Sequence, residues 1–163
     1  MTLAEMLKRV GAVKFGEFVL ASGQKSNVYI DIKLACTHPE VLKAIAEEMA
    51  KRVKGLEFDK IACIELGGVP LAVALSLKLG KPYVIFRKRK KEYGTGDDCI
   101  GEIRKGERVI VVEDVTTTGA SAMSVVERVE ERGGEVVAVV TVVNRGAKLP
   151  NLISLLTLED LIS

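Results

Sequence analysis

The centre of the chain carries the stretch VIVVEDVTTTGAS, residues 109–121. Its four leading apolar residues, 109–112, predict a strand that is buried on both faces, as the strands of parallel sheets are. Glu113 and Asp114 follow at the carboxyl end of this predicted strand, where open α/β sheets bind their ligands. A turn rich in Thr and Gly then leads into a predicted helix. The stretch therefore predicts a ligand site between a buried strand and a helix.

Short apolar strands alternate with helices on both sides of this stretch. Further strands are predicted at 61–64, 83–86 and 136–143, and helices at 39–53, between 68 and 80, and at about 120–132. This alternation predicts a parallel sheet covered by helices on both faces. Residues 87–106 fit neither pattern and predict a long loop, which in a compact domain usually has a function or moves.

The two ends of the chain carry additional elements. Thr2 and Glu5 have the spacing of a capping box and predict a short helix that ends near Gly11. Apolar and polar residues alternate over 28–33, which predicts a half-buried strand. The last segment, LPNLISLLTLEDLIS, is apolar at helical and at strand-like spacings, with Thr157 as a predicted cap. Packing on the N-terminal segment and packing at a dimer contact both stay open for it.

Length and composition restrict the class of protein. The 163 residues fit one domain, 1–163, and 48% hydrophobic with 28% charged residues is typical of a folded globular chain. The formal net charge of +2 gives no support to nucleic-acid binding by bulk electrostatics. No apolar run reaches the ~20 residues that cross a bilayer, and the N-terminus has charges where a signal peptide is apolar. A cytoplasmic protein without a membrane partner is therefore expected.

The cysteines and the histidine argue against two other kinds of site. Cys36, Cys63 and Cys99 are far apart without a C-x-x-C spacing, and the chain has one His. Such a set does not supply the three or four clustered ligands of a zinc site. Three cysteines in a cytoplasmic chain predict reduced thiols. His38, just before Pro39, is predicted to cap a helix rather than to serve in a hydrolase triad.

The turn after Asp114 has the composition of a phosphate site. Its backbone N–H groups and hydroxyls lie at the positive end of the following helix, where a phosphate binds favourably. Two carboxylates would repel that phosphate unless they faced a neutral group or a cation, and ribose hydroxyls with Mg²⁺ nearby satisfy both demands. Acids that merely cap the next helix are the structural alternative. The ordered coincidence of apolar run, acid pair, Thr-rich turn and Gly favours the binding site, and neither a Walker A loop nor a G-x-G-x-x-G fingerprint is present.

This stretch resembles the phosphoribosyl-pyrophosphate (PRPP) motif of type I phosphoribosyltransferases. The resemblance implies that Glu113 and Asp114 hold the ribose 2- and 3-hydroxyls. It assigns the 5-phosphate to six residues: Thr116, Thr117, Thr118, Gly119, Ala120 and Ser121. The implied fold is α/β, a parallel sheet flanked by helices, with a long mobile loop and a small N-terminal hood. The hood is expected mainly at 1–35, and a contribution of the C-terminal segment to it stays open.

Further segments resemble orotate phosphoribosyltransferases, so that the resemblance spans residues 15–146. FGEFVLASGQKSNVYIDIK, residues 15–33, is similar to their N-terminal signature and implies that Lys25 reaches the orotate site. A hairpin with a Ser-Gly turn and a solvated Lys is the structural alternative. Arg145 matches the Arg that meets the orotate carboxylate in this family, a surface charge being the alternative, and Thr117 is expected beside orotate.

ELGGVPLA, residues 65–72, is similar to the pyrophosphate-binding loop of these enzymes. Bacterial members often have a Lys where this chain has Gly67. The resemblance therefore implies that pyrophosphate contacts the backbone N–H groups of Gly67 and Gly68 here, without a lysine from this loop.

RKRKKEYGTG, residues 87–96, resembles the mobile loop R-K-x-x-K-x-[HY]-G that closes over the active site. Four residues match its positions and are implied to bind PRPP: Arg87, Lys88, Lys91 and Tyr93. Many members have His where this chain has Tyr93. The resemblance assigns catalysis to Lys88, Lys91 and Tyr93 together with Asp114. A solvated charged loop or a nucleic-acid patch is the alternative, but the loop has no aromatic platform beyond Tyr93 and acids follow at once, so that a nucleic-acid partner is not expected.

The activity implied by the resemblance is that of an orotate phosphoribosyltransferase, a Mg²⁺-dependent pentosyl transfer in the biosynthesis of UMP. Orotate and PRPP would give orotidine 5-monophosphate and pyrophosphate, in a homodimer with shared active sites. Mg²⁺ would bind through PRPP, with Glu113 and Asp114 as candidate ligands. Two alternatives stay open: a phosphoribosyltransferase for another nucleobase, and a PRPP-binding regulator without turnover. No helix-turn-helix is expected before residue 15, which disfavours the regulator, and the length leaves no room for a fused decarboxylase.

Overall fold

The computed structural model describes residues 1–88 and 98–162. Eight strands and six helices occur within these residues. In chain order they are α1 (Leu3–Arg9), β1 (Val13–Val19), β2 (Lys25–Ile30), α2 (Ile32–Ala35), α3 (Pro39–Val53), β3 (Lys60–Ile64), α4 (Val69–Leu79), β4 (Tyr83–Phe86), β5 (Cys99–Ile100), β6 (Arg108–Thr116), α5 (Ala120–Glu131), β7 (Glu135–Asn144), β8 (Leu152–Thr157) and α6 (Leu158–Ile162). All four strands predicted from apolar runs are present, as β3, β4, β6 and β7.

The larger sheet has six strands among the described residues, in the order β5-β4-β3-β6-β7-β8. Neighbouring strands are parallel except β4 and β5, which pair antiparallel. In the middle of the sheet Ile61 of β3 pairs with Ile110 of β6, and both side chains are completely buried. The predicted parallel sheet is therefore confirmed, and the carboxyl ends of its parallel strands meet at one edge.

Helices cover both faces of this sheet, as the alternation of elements predicts. Along β6, Ile110 and Val112 point into the core shared with α3 and α4, whereas Val109 and Val111 point into the core shared with α5. All four side chains are completely buried. Burial of one such side chain stabilises the fold by about 1.5–3 kcal/mol, so both cores hold β6 in place between α4 and α5.

A separate antiparallel hairpin, β1 and β2, precedes the sheet. Its turn contains Gly23 with a φ of +84°, a conformation that favours Gly. The hairpin that the sequence offered as the structural alternative is thus present. β2 ends at Ile30, whereas the predicted strand extended through Lys33. The reason is Asp31, whose carboxylate accepts a hydrogen bond from the N–H of Leu34 at 3.0 Å and so caps α2.

Two strands differ in extent from the prediction. β6 continues through Glu113 and Asp114 to Thr116, because β7 runs beside it and pairs with it as far as Asn144. The acid pair therefore lies inside the strand near its end, not after it. The region 87–106, predicted as loop, contains the two-residue strand β5, which is too short to show a period of two in the sequence.

The C-terminal segment forms an edge strand and a short helix. β8 pairs with β7, and α6 begins after Thr157, whose backbone N–H and hydroxyl donate to the Asp160 carboxylate at 2.8 and 3.1 Å. Leu161 of α6 is completely buried in the same core as Leu7 of α1. Of the two locations left open by the sequence, the structure shows packing on the N-terminal helix.

Within residues 1–88 and 98–162, Cys36, Cys63 and Cys99 are not joined in disulfides. Burial, followed by nearby carboxylates, raises the pKa of Cys36 to about 11 and that of Cys63 to about 12, so these two thiols stay protonated at neutral pH. Over 1–88 and 98–162, no three His, Cys, Asp or Glu side chains form a group that could hold a metal ion. No helix in these same ranges is long and apolar enough to cross a membrane.

We expect Leu161→Ala to lower the free energy of unfolding by about 2–5 kcal/mol, because it leaves a cavity in the core between α1 and α6. Urea unfolding followed by circular dichroism measures this change. The control is Ile162→Ala, at the neighbouring residue, which is 48% exposed and should change the free energy by less than about 1 kcal/mol. Equal effects of the two substitutions would contradict the packing of α6 on α1.

Candidate active site

Glu113 is the buried member of the acid pair. Its side chain lies on the α5 side of β6 and is 4% exposed, and its Oε1 has no hydrogen-bond partner among the described residues. Burial, followed by the negative charge of Asp114, raises the pKa of Glu113 to about 8. Glu113 is therefore mostly protonated at neutral pH, and it presents a buried oxygen that a ligand can satisfy.

Asp114 points to the opposite face of β6, towards the loop before α4. The ammonium of Lys33, on α2, lies 3.6 Å from its Oδ2. A Cβ at Gly67 would lie 2.1 Å from the same oxygen, so only Gly fits at 67 while Asp114 keeps this position. A Cβ at Gly68 would lie 2.9 Å from the Cβ of Cys63. Gly68 is thus confined by the sheet itself, whereas the space at Gly67 is filled by the Asp114 carboxylate.

The Thr-rich turn lies between the end of β6 and the start of α5. Gly119 precedes the helix with a φ of +91°, and the hydroxyl of Thr118 accepts a hydrogen bond from the N–H of Ala120 at 3.3 Å. The N-terminal end of α5 opens into a cavity that this turn surrounds. Because first-turn N–H groups and the helix dipole favour negative charge, the cavity suits a phosphate group.

The carboxyl ends of β6 and β7 are joined to each other and to β2. Thr116, the last residue of β6, donates its hydroxyl to Oδ1 of Asn144 at 2.9 Å, so its side chain joins two strands rather than facing the turn. The Arg145 guanidinium donates to the carbonyl of Val28 at 3.0 Å and to Oγ of Ser26 at 2.9 Å. Burial lowers the pKa of Arg145, which still stays charged. Arg145 thus connects the sheet to the hairpin.

The cavity of the Thr-rich turn adjoins a second one, and the two form a single cleft because they share Glu113, Thr117 and Ser121. The second cavity brings the acid pair together with two cations and the hairpin. Its lining includes Tyr29, Lys33, Asp114 and Arg145. A phosphate site, two acids and two cations therefore open into one space at the carboxyl edge of the sheet.

Lys25 lies outside this cleft in a single chain. It is exposed on β2 and lines a separate groove on the hairpin. Lys25 lines neither part of the cleft, whereas the next residue, Ser26, accepts a hydrogen bond from Arg145, which does line it. The structure thus brings together two of the three predicted orotate residues, Thr117 and Arg145, without Lys25.

The segment 87–98, called the basic loop here, contains the predicted mobile loop, and the structure describes its two ends, 87–88 and 98. Two predicted loop residues lie outside the described residues: Lys91 and Tyr93. At the first end, the backbone N–H of Lys88 donates to Oε1 of Glu65 at 2.9 Å, next to the predicted pyrophosphate loop. The N–H of Arg87 donates to the carbonyl of Asp98 at 2.7 Å, which closes the base of the loop. The basic loop therefore begins, at Lys88, beside the predicted pyrophosphate loop that contains Gly67.

Asp98, at the second end, is held by Arg128 of α5 and by Arg132, the residue that follows α5. Nη2 of Arg128 lies 2.8 Å from Oδ2 of Asp98, and Arg132 forms an ion pair with Oδ1. Both guanidinium groups lie over the Phe86 ring, 4.9 and 5.1 Å from its centroid. Burial acts to raise the pKa of Asp98, but the hydrogen bonds and charges of Arg128 and Arg132 lower it overall. Helix α5 thus begins at the Thr-rich turn and, near its other end, anchors the base of the basic loop.

Sequence reasoning missed Lys33 and the Asp98 cluster. Lys33 falls within the alternation over 28–33 that predicts a strand, and the signal against a strand was Asp31, an N-cap residue type. Arg128 and Arg132 have the i, i+4 spacing that puts two side chains on one helix face. Their partner Asp98 lies 30 residues before Arg128, so no local pattern connects them.

Residues 36–155 match the family model of the phosphoribosyl transferase domain. The chain is 59% identical to the orotate phosphoribosyltransferase of Archaeoglobus fulgidus over 160 residues, which cover 98% of this chain and 90% of that protein. It is 51% identical to that of Methanocaldococcus jannaschii over 148 residues, 90% of this chain and 84% of that protein. The chain belongs to the orotate phosphoribosyltransferase family.

Solved structures of orotate phosphoribosyltransferases have the same fold. The Mycobacterium tuberculosis enzyme in complex with Fe(III) dicitrate superposes with a TM-score of 0.83 at 32% identity, covering 99% of this chain and 97% of that one. The Aeropyrum pernix enzyme gives a TM-score of 0.83 at 32% identity, covering 99% and 96%. The α/β fold implied by the sequence resemblance, a parallel sheet flanked by helices, is therefore confirmed.

We expect the stability of the ligand-free orotate phosphoribosyltransferase to fall with rising pH through Glu113. Its pKa of about 8 in the folded protein, against the ordinary 4.5, means that the folded state binds the proton more tightly. This contribution is full below pH ~4.5 and is lost as the pH rises through about 8. Glu113→Gln has no proton to lose, so between pH 5 and 9 the wild type should lose on the order of 4 kcal/mol more than the variant.

Urea unfolding at pH 5, 7 and 9 measures this difference. Glu127→Gln, at an exposed position of α5, is the control and should keep the pH dependence of the wild type. Parallel pH profiles of the wild type and Glu113→Gln would show that Glu113 is ionised in the folded protein and would contradict its assignment as a neutral group.

Proposed function

We propose that this chain transfers the 5-phosphoribosyl group of PRPP to orotate and releases orotidine 5-monophosphate and pyrophosphate. This is the orotate phosphoribosyltransferase reaction of pyrimidine biosynthesis. The observation that supports it is the single cleft in which the Thr-rich turn, the acid pair and Arg145 meet. The relatives reported above carry the same name, and neither a non-catalytic regulator nor an enzyme for another base is favoured by them.

The turn and the acids divide the binding of PRPP between them. The backbone N–H groups of residues 117–121 bind the 5-phosphate at the positive end of α5. Glu113 and Asp114 bind the ribose hydroxyls. A hydroxyl is neutral, so it can donate a hydrogen bond to these carboxyl oxygens without charge repulsion. Glu113 is also neutral itself at pH 7, which removes one negative charge from the neighbourhood of the phosphates. Thr116 contributes through its place at the end of β6, since its hydroxyl is bonded to Asn144.

The reaction needs charge stabilisation rather than a protein nucleophile. The bond between ribose carbon 1 and the pyrophosphate oxygen breaks, and the electron pair leaves with pyrophosphate. N1 of orotate supplies the pair of the new bond to carbon 1, and the proton that N1 loses passes to the departing pyrophosphate or to water. The leaving group is bound by the N–H groups of Gly67 and Gly68 and by the cations of Arg87 and Lys88, and the loop motif assigns the same role to Lys91 and Tyr93. Fixed donors aimed at developing charge are commonly worth 10²–10³ in rate each.

Mg²⁺ fits this site as an ion held mainly by the substrate. Among residues 1–88 and 98–162 no three metal-binding side chains form a group, and the candidate protein ligands for Mg²⁺ are the oxygens of Glu113 and Asp114. Mg²⁺ prefers oxygen ligands, keeps several waters and often binds through one or two carboxylates together with substrate phosphates. When bound, it neutralises charge on the pyrophosphate group.

Recognition of orotate rests on its negative charge. Arg145 lines the cleft and keeps its guanidinium in place through Val28 and Ser26, so it meets the orotate carboxylate without further ordering. Thr117 lines the same space. Lys25 lines a separate groove on the hairpin. It contributes to orotate binding when a partner chain or a movement of the hairpin brings its side chain to the orotate site.

A purified sample tests the function with orotate, uracil, hypoxanthine and adenine, each with PRPP and Mg²⁺. We expect release of pyrophosphate with orotate alone, followed by the change in orotate absorbance, and loss of the rate when Mg²⁺ is chelated. Turnover of another base would replace orotate as the substrate. PRPP binding in calorimetry without turnover of any base would support a regulator instead and would contradict the proposal.

The homodimer expected for this family has a candidate interface. Leu77 of α4 is 83% exposed. Tyr83 and Ile100 are exposed as well. Ile100 pairs with Ile85 and Tyr83 lies two residues before Ile85, so all three side chains lie on the same face of the sheet, the one that α4 covers. Leu66, in the loop before α4, is exposed as well. An apolar surface of this kind is suited to a second copy of the chain.

We expect Leu77→Glu to convert the dimer to a monomer, because it places two charges in an apolar two-fold interface. Sedimentation velocity measures the mass of the particle. Ile162→Glu, at another exposed apolar residue far along the chain, should remain dimeric. A dimeric Leu77→Glu would contradict this interface, and a monomeric wild type would contradict the dimer.

A further inference from the structure

The acid pair creates an electrostatic problem that the structure solves differently for its two members. Two negative charges next to a phosphate-binding turn repel a polyanion such as PRPP. Glu113 is buried, and its side chain lies on the face of β6 opposite to that of Asp114. Asp114 is partly buried and has a cation beside it, since Nζ of Lys33 lies 3.6 Å from its Oδ2.

The backbone of Lys33 is held in place by the capped helix α2. It lies in α2, whose first turn is capped by the Asp31 carboxylate through the N–H of Leu34 at 3.0 Å. Its side chain is 49% exposed and lines the cleft together with Arg145. The ammonium has three donors, so it can keep Asp114 as a partner while it faces a ligand in the cleft.

Asp114 is confined from its other side by the predicted pyrophosphate loop. The Oδ2 atom that faces Lys33 is also the atom that a Cβ at Gly67 would approach to 2.1 Å. Cys36 is a further neighbour, since the charge of Asp114, after burial, raises the pKa of its thiol. The carboxylate thus lies between the α2 ammonium and the loop backbone, in surroundings where an unpaired charge is costly.

We propose that Lys33 is a positioning residue for PRPP: it holds the Asp114 carboxylate against Gly67 and neutralises its charge, so that Asp114 accepts a ribose hydroxyl without repelling the phosphates. The proposal rests on the function proposed above and gives a role to Lys33, the last residue of the 15–33 segment, to which the sequence resemblance assigned none. It predicts an effect of Lys33 on PRPP that passes through Asp114, and little effect on orotate.

The chain offers a matched control for this ion pair. Lys14 is also 49% exposed, and its ammonium lies 3.8 Å from Oδ2 of Asp31, close to the Lys33–Asp114 distance of 3.6 Å. Both lysines contact a carboxylate at the boundary between hairpin and sheet, but Lys14 does not line the cleft. Lys14→Met therefore removes a comparable ion pair without touching Asp114.

The test measures PRPP affinity by calorimetry with Mg²⁺, and KM and kcat with orotate, for Lys33→Met, Lys33→Arg and Lys14→Met. Loss of one charged contact should weaken PRPP binding about tenfold in Lys33→Met, while the KM for orotate stays within about twofold. Lys33→Arg, which keeps the charge, should recover most of the affinity, and Lys14→Met should match the wild type. In an Asp114→Asn background, Lys33→Met should weaken PRPP binding by less than about threefold, because the residue through which it acts is already neutral.

Three results would overturn the proposal. Equal PRPP affinities of Lys33→Met and Lys14→Met would show that Lys33 has no role in this site. A raised KM for orotate with unchanged PRPP affinity would make Lys33 a contact of the base. A full tenfold loss in the Asp114→Asn background would make it a direct contact of PRPP. All three leave an active wild type, whereas a wild type without orotate-dependent pyrophosphate release would refute the proposed function itself.

Discussion

Electrostatic repulsion between two adjacent carboxylates and a bound phosphate is the constraint around which this site is built. Burial removes the charge of Glu113 by favouring its protonated form. Asp114 keeps a cation within 3.6 Å and packs against a glycine that leaves room for it. With both charges compensated, the positive end of α5 can attract a phosphate only a few residues away. The acids then serve as acceptors or donors for hydroxyl groups.

Helix α5 connects the Thr-rich turn to the base of the basic loop. Its first residue follows the Thr-rich turn, and Arg128 and Arg132, near its other end, hold Asp98 at the base of the basic loop. The same two guanidinium groups lie over Phe86, the last residue of β4. Helix α5 therefore joins the phosphate turn to the base of the loop that begins at Arg87 and Lys88.

The core of the fold was predictable because it depends on short-range patterns. Apolar runs of four to eight residues identified β3, β4, β6 and β7, and the switch between strand and helix periods implied the covered parallel sheet. The phosphate turn followed from its own Thr and Gly residues. One error has a local cause, since Asp31 ended β2 early by capping α2. The other does not, because pairing with the more distant strand β7 extended β6 through the acid pair. The two-residue strand β5 had no period to detect.

Strand, turn and helix around residues 109–132 are encoded locally, since buried apolar residues, a glycine with positive φ and an amphipathic helix act over a few positions. Tertiary packing gives the two acids different charges. Burial favours the neutral form of Glu113, whereas Asp114 has the ammonium of Lys33 beside it, from an element far away in the sequence. The same packing brings Lys33 into the cleft and turns Lys25 away from it. Charge compensation depends on distances in space, and these arise only when α2, β6 and the loop before α4 pack together.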